Sequence, residues 1–553
     1  MRKINFTIKF LLLALIFFSQ LTLPISNKAF SQTSSEKAAE QWNLRQTEIE
    51  HFYQEGDLQG ALNSVQEAIS LAETAFGPAS LETISSMLLQ AQIHSEMDQL
   101  EEANQIYQTV LETTVSTFGE RNTTTLSVLD TYGQFLNSID PEMAEPILTE
   151  ALRLSENEDP QRAARMKVLG QNFQEMGRNS EAEEMLNEAL KLFQTLVGEK
   201  DVETLSAMSF LAQLQMSQGK LKPAQELFEK ALPLMREVLD ENSFLVLESK
   251  ENLGEIYRQQ GIFSKAETLF KETIKAAAVE YGDEEQLVIQ AKSHLAQLYE
   301  DTGKLKQALA IHQQVYETDL AMLGKNHPNT AGDLNNLASV RRRLGDYQRA
   351  ENLFRKSLNV MISALGEDSP QSVSVMNNLA LLLENQGLYD EAEPLFKKAH
   401  TISGKIQGER HPTTLALLNN LAFLYESQGD FERSELNYTK VIQLNTEVFG
   451  EAHSNTLSNQ NNLAYLFLRA ERFDEARPIF TKVHNLWKEQ LGENHQNTLK
   501  ALNNLGRVQK SLGNLDEAEK LLTTALDGRT KVFGKRHADT LRSMNDFGEL
   551  LVI

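Results

Sequence analysis

Apolar residues along most of this chain recur at steps of three and four with polar residues between them, the signature of amphipathic helices. The stretch LNNLASVRRRLGDYQRAENLF, Leu334 to Phe354, shows the pattern, which returns as MNNLALLLENQGLYDEAEPLF from Met376 and LNNLAFLYESQGDFERSELNY from Leu418. Each copy predicts two helices. Around Met376, helix A runs from about Pro370 to Gln386, Gly387 breaks it, and helix B begins near Tyr389 and ends by Gly408. Proline is tolerated in the first turn of helix A because its missing N–H has no partner there.

The period is 42 residues: Asn335, Asn377, Asn419, Asn461 and Asn503 keep it, and so do Gly366, Gly408, Gly450, Gly492 and Gly534. A small residue after helix A, Ala350, Ala392, Ser434, Ala476 and Ala518, keeps the same step and extends back through Ala308, Ala266, Ala224 and Ala182. Before these come Ala144, Ala103 and Ala61, with one interval of 38 and one of 41, so twelve units are expected, followed by the start of a thirteenth, SMNDFGELLVI. Ala380 and Ala392 are small where helices A and B must approach, while Leu379, Leu383, Tyr389, Leu395 and Phe396 fill the space between them. Two such helices cannot bury their apolar faces alone, so neighbouring pairs must stack into one quasi-one-dimensional core.

The pattern L-N-N-L-A-x-x-x-x-x-x-G-x-[YF]-x-x-A-E-x-[LI]-[FY], followed by L-G-E-x-H-P-x-T, resembles the 42-residue tetratricopeptide repeat of kinesin light chains and of many bacterial proteins. The resemblance covers about residues 37 to 553. It implies an all-α fold, a right-handed alpha–alpha superhelical solenoid, with about twelve repeats over 37–536 and a capping helix at 537–553. It also implies that helix A lines a concave groove. The chain departs from kinesin light chain in lacking an N-terminal heptad coiled coil, and it lacks the caspase-like protease domain that similar bacterial arrays often precede.

The first 31 residues are different in kind: a basic MRKINFTIK, an apolar FLLLALIFF from Phe10 to Phe18, and Ala29-Phe30-Ser31 before Gln32. They predict a cleaved signal peptide, since the apolar run falls short of the ~20 residues that span a bilayer. The expectation is an exported protein, periplasmic or secreted, with a membrane tether through an uncleaved signal as the alternative. The chain has no cysteine, which excludes disulfides, thiolate metal sites and lipid at a junctional cysteine. Its formal charge of −24 becomes −28 once Arg2, Lys3, Lys9 and Lys28 leave with the signal. Between Gln32 and Pro160 only four residues are basic against 23 acidic. Such a surface repels nucleic acid and anionic membranes, so neither is expected as a partner. The acidic segment reads either as a solvated face or as a docking site for a basic partner.

On a wheel of 100° per residue with Leu334 at zero, Leu337 and Ala338 fall on the buried side, Asn335 lies on the flank, and Asn336 points away from the core. If the outward stripe faces a groove, as the resemblance implies, then Asn252, Asn336, Asn378, Asn420, Asn462 and Asn504 form a ladder interrupted by His294. Each amide offers both a donor and an acceptor to a peptide backbone; the alternative is that the asparagines bond to neighbouring helices. The stripe also carries an apolar strip of Leu381, Phe423 and Tyr465, with Arg343, Arg469, Lys500 and Arg507 around it, and these complete the candidate partner-binding set. Earlier repeats place Glu255, Gln259, Gln297 and Asp301 there instead.

His327, His411, His453, His495 and His537 recur at 42, but rungs about 10 Å apart cannot meet at one metal. Ser369 occupies the same place before Pro370, so the histidines are expected to cap helix A. No H-E-x-x-H, G-x-S-x-G, G-x-x-x-x-G-K or calcium loop occurs. The expected function is therefore non-enzymatic, with no cofactor and no metal: an exported scaffold binding extended peptides or partner proteins in its concave groove. The alternative is a non-catalytic regulatory subunit of a separately encoded enzyme such as a protease.

Overall fold

The computed structural model describes residues 34–552, so the predicted signal segment lies outside the described residues. Within them 25 helices follow one another without a strand, the all-α solenoid that the repeat implies. In the unit around Met376, helix A spans Pro370–Asn385 and helix B Tyr389–Ile406, ending just short of the bounds read from the sequence.

Turn chemistry explains the motif residues. Gly387 between the two helices has φ +75°, and Gly408 at the end of helix B has φ +94°, a left-handed region that side chains resist. The Thr414 hydroxyl then donates to the Gly408 carbonyl at 2.9 Å, and His411 Nδ1 accepts the Thr413 N–H at 3.2 Å. His327, His453, His495 and His537 cap their helices in the same way, at 3.1 to 3.2 Å, and Ser369 accepts from the Ser372 N–H at 3.1 Å. The histidines are thus the helix A caps that the Ser369 analogy predicts. The motif threonine has a role the sequence reading left unassigned: it ties the turn's glycine carbonyl to the next helix.

The chain divides into two compact units, one up to Glu241 and one from Asn242. Unit 1 has five helix pairs among its described residues, from Ser34–Gln54 to Leu221–Val238. The short interval of the sequence falls here: helix B at Pro141–Leu154 has 14 residues, whereas that of the fourth pair, Asn179–Leu196, has 18. The buried Arg165 guanidinium bridges this region, donating twice to Asp130 at 2.7 Å and once to the Ser155 hydroxyl at 2.8 Å.

Unit 2 has seven helix pairs, from Phe244–Gln259 to Leu515–Phe533, and then the helix Ala538–Leu551. One core cluster runs through Ala338, Phe354, Leu379, Ala380, Ala392, Phe396 and Leu424, all buried. The alanines sit where helices approach and the phenylalanines fill the gaps between pairs, as the small and large positions of the motif require. Successive A helices of unit 2 touch one another directly, and no comparable approach joins its successive B helices. The ribbon therefore bends toward the A side, which makes helix A the concave lining.

Candidate functional site

Along the A helices of unit 2, a residue in one repeat reaches the residue 43 positions later in the next, and two parallel ladders result. The first is made of the paired asparagines. Asn378 Nδ2 donates to Asn335 Oδ1 at 2.9 Å, Asn420 to Asn377 at 2.8 Å, and Asn462 to Asn419 at 3.1 Å. Within each repeat the flank amide lies 3.4 to 3.5 Å from the adjacent outward oxygen, which turns these bonds into one continuous chain of amides. At the C-terminal end Asn503 takes a different partner, donating to Asp546 at 2.6 Å, and the buried Asn461 Oδ1 has no hydrogen-bond partner.

This is the alternative stated for the ladder, in which the asparagines bond to neighbouring helices. The outward Asn378, Asn420 and Asn462 are themselves donors to the preceding repeat, because the curvature brings neighbouring A helices close enough for short amide side chains to meet. Asn336, the acceptor at the start of the chain, is half-buried like them. Asn252 and Asn504 are buried, at 7% and 6% exposure, and Asn252 turns back to its own helix, donating to the Glu248 carbonyl at 3.0 Å. Each laddered amide keeps a second N–H that the ladder bonds do not use.

The second ladder mixes ion pairs with hydrogen bonds to a single charged partner. Arg258 pairs with Asp301, Arg343 with Glu300 at 3.0 Å, Arg342 with Asn385 at 2.9 Å, Ser427 with Glu384 at 2.6 Å, and Arg469 with Glu426 at 3.1 Å. Burial pushes the Glu426 carboxyl up despite Arg469 and Tyr438, whereas at Glu300 the bonds from His312 and Arg343 outweigh burial and hold it below its ordinary value. Burial and then the neighbouring Arg343 charge lower Arg342, whose Nε is buried without a hydrogen-bond partner.

The candidate set therefore divides. Arg343 and Arg469 are exposed but already paired. Arg507 lies 3.6 Å from Asp546 and 5.4 Å above the Tyr465 ring. Leu381 and Tyr465 are half-buried and pack against core clusters. Phe423 is the aromatic of the strip left open, 37% exposed between Leu381 and Tyr465 in the repeat order. Lys500 has an exposed side chain and, among the described residues, no ion-pair partner. Its ammonium is lowered chiefly by desolvation, with Asp539 raising it and Arg542 and Arg529 lowering it further. Among the described residues no cluster of three or more His, Asp or Glu stands ready for a metal ion, and no helix is long and apolar enough to cross a membrane.

A tetratricopeptide repeat profile matches residues 162–237, 203–278, 287–363, 371–447 and 455–531, more than half of the chain, and a second tetratricopeptide repeat profile matches 335–404. No curated protein matches the chain. Among solved structures it is similar to nearly identical TPR-like repeats from Podosopora anserina described as a kinesin light chain, at 22% identity over 37% of this chain and 97% of that one, with a TM-score of 0.33. It is also similar to a Rap protein complexed with competence and sporulation factor (17% identity, 66% and 99% of the chains, TM-score 0.48). Yeast Tom70 is matched at 17% identity over 94% and 96% of the chains, with a TM-score of 0.42.

Proposed function

The chain belongs to the tetratricopeptide repeat family, and from that premise we propose that it is an exported protein-interaction scaffold whose unit 2 holds an extended peptide or partner segment along helix A. The observation that carries the proposal is Phe423: a large aromatic left open on the concave lining, flanked by amides with hydrogen-bonding capacity to spare. Exposed aromatic anchors surrounded by polar rungs suit a backbone held by the amides and selected by the ring. Export rests on the leader-like first 31 residues, and an N-terminus near Gln32 in secreted or periplasmic material, read by mass spectrometry, is the expected result.

Selection of a random displayed-peptide library on the mature protein tests the binding reading. Phe423→Ala should abolish enrichment of the selected peptides and leave helicity unchanged, because the ring contributes little to the core. Tyr465→Ala should weaken binding and also lower the melting temperature, because Tyr465 is half-buried against a core cluster and lies under Arg507. If Phe423→Ala binds normally while charge reversal between Gln46 and Glu120 abolishes binding, the acidic segment is the docking site and the regulatory-subunit reading takes over.

A further inference from the structure

Unit 2 touches itself at long range. His495, the cap of the helix Gln496–Ser511, has Nε2 3.3 Å from the Gln259 carbonyl, 236 residues earlier. Its Nδ1 accepts the Asn497 N–H at 3.2 Å, so Nε2 carries the proton and donates it to Gln259. A second contact sets Phe263 against Phe533, ring centroids 6.0 Å apart. In a third, the His537 ring, stacked 4.5 Å from Phe533, sits so close to Gly303 that a Cβ there would come within 2.9 Å of it. The three contacts share one logic. The A-to-B turns after Gln259 and Asp301 meet the B-to-A turns before Gln496 and Ala538, so opposite edges of the ribbon meet after more than five repeats.

We infer that these contacts form a clasp that closes one superhelical turn of unit 2 edge to edge and thereby controls access to the concave lining. With the clasp shut, the helix A face opens only along the axis of the turn, which admits an extended chain and excludes a folded domain. This deepens the proposed function, since it makes the occupant of the groove an unstructured polypeptide. The residues are suited to the task. His411 and His453 cap their helices with the same Nδ1 geometry, while His495 and His537 in addition turn the far edge of the ring toward another repeat.

That comparison supplies the test. Serine already replaces histidine as the cap at Ser369, so His495→Ser with His537→Ser keeps both caps and removes two of the three clasp contacts, leaving only Phe263 against Phe533, while His411→Ser with His453→Ser removes rings that take no part in it. The chain has no cysteine, so Ser374→Cys places a single thiol on the exposed groove stripe, four residues before Asn378. Its reaction rate is measured in the full chain with N-ethylmaleimide and with a bulky polyethylene glycol maleimide. Loss of one hydrogen bond and one ring contact should shift the clasp equilibrium by about tenfold or more. The bulky reagent should therefore react about tenfold faster in the clasp variant and the small one at an unchanged rate, with the control pair behaving like the parent. Equal bulky-reagent rates in parent and clasp variant, or equal acceleration by the control pair, overturn the clasp. The readout is reagent access and not peptide capture, so the clasp can fail while the groove reading stands, and the reverse.

Discussion

At the residue scale, positions that break the repeat carry the sharpest consequences. Glu471 stands where Gly387 and Gly429 stand in neighbouring repeats and holds φ +58°, a left-handed conformation that costs a non-glycine residue about 1 kcal/mol. Because Glu471 is exposed, Glu471→Gly should stabilise the protein by about that amount, visible as a raised melting temperature. Asp319 and Asp333 are both buried at one repeat junction. Burial, and then the Asp319 charge, push the Asp333 carboxyl up from 3.8 to about 8. The folded state thus keeps a proton that the unfolded state releases, so this group's contribution to stability is complete below pH 3.8 and falls as pH rises to about 8. Asp333→Asn should melt above the parent at pH 8, with the difference shrinking toward pH 4. The sequence did not expose this pair, since nothing in the repeat marks where two outlying carboxylates meet. The sequence left the asparagines' partners open between a peptide backbone and a neighbouring helix, because a wheel gives direction from one axis but not the distance between neighbouring axes.

Elements were far more legible, because each boundary is set by local chemistry. Glycine at the left-handed position, proline in the first turn and histidine or serine at the cap all act within a few residues, so the sequence alone locates helices such as Pro370–Asn385. The repair of the shortened repeat was not legible, because Arg165 and Asp130 are far apart in sequence and neither belongs to the motif. Burial raises the Asp130 carboxyl and Arg165 draws it back, so the pair is matched within a largely buried site. Arg165→Ala leaves that carboxylate uncompensated and should cost about 3–5 kcal/mol in denaturant unfolding. Asp130→Leu combined with Arg165→Met should recover most of the loss; equal damage from the single and double changes would show that the guanidinium acts through packing alone.

At the scale of the whole molecule, periodicity predicts stacked helix pairs and the family resemblance implies helix A on the inside, as unit 2 shows, yet the turn-to-turn contacts of Gln259, Phe263 and Gly303 depend on the accumulated curvature of several repeats. Small rotations at each junction add up, and no single repeat records their sum. The central claim remains that the concave A face of unit 2 is where a partner lies. Site-specific photocrosslinking in the producing cell tests it most directly, with a photoreactive phenylalanine analogue placed in turn at Phe423, at Leu436 on helix B of the same repeat, 70% exposed, and at Glu101 in the acidic segment. Adducts with a discrete polypeptide from position 423, and none from 436 or 101, are the predicted result; adducts from 436 or 101 without any from 423 would contradict it.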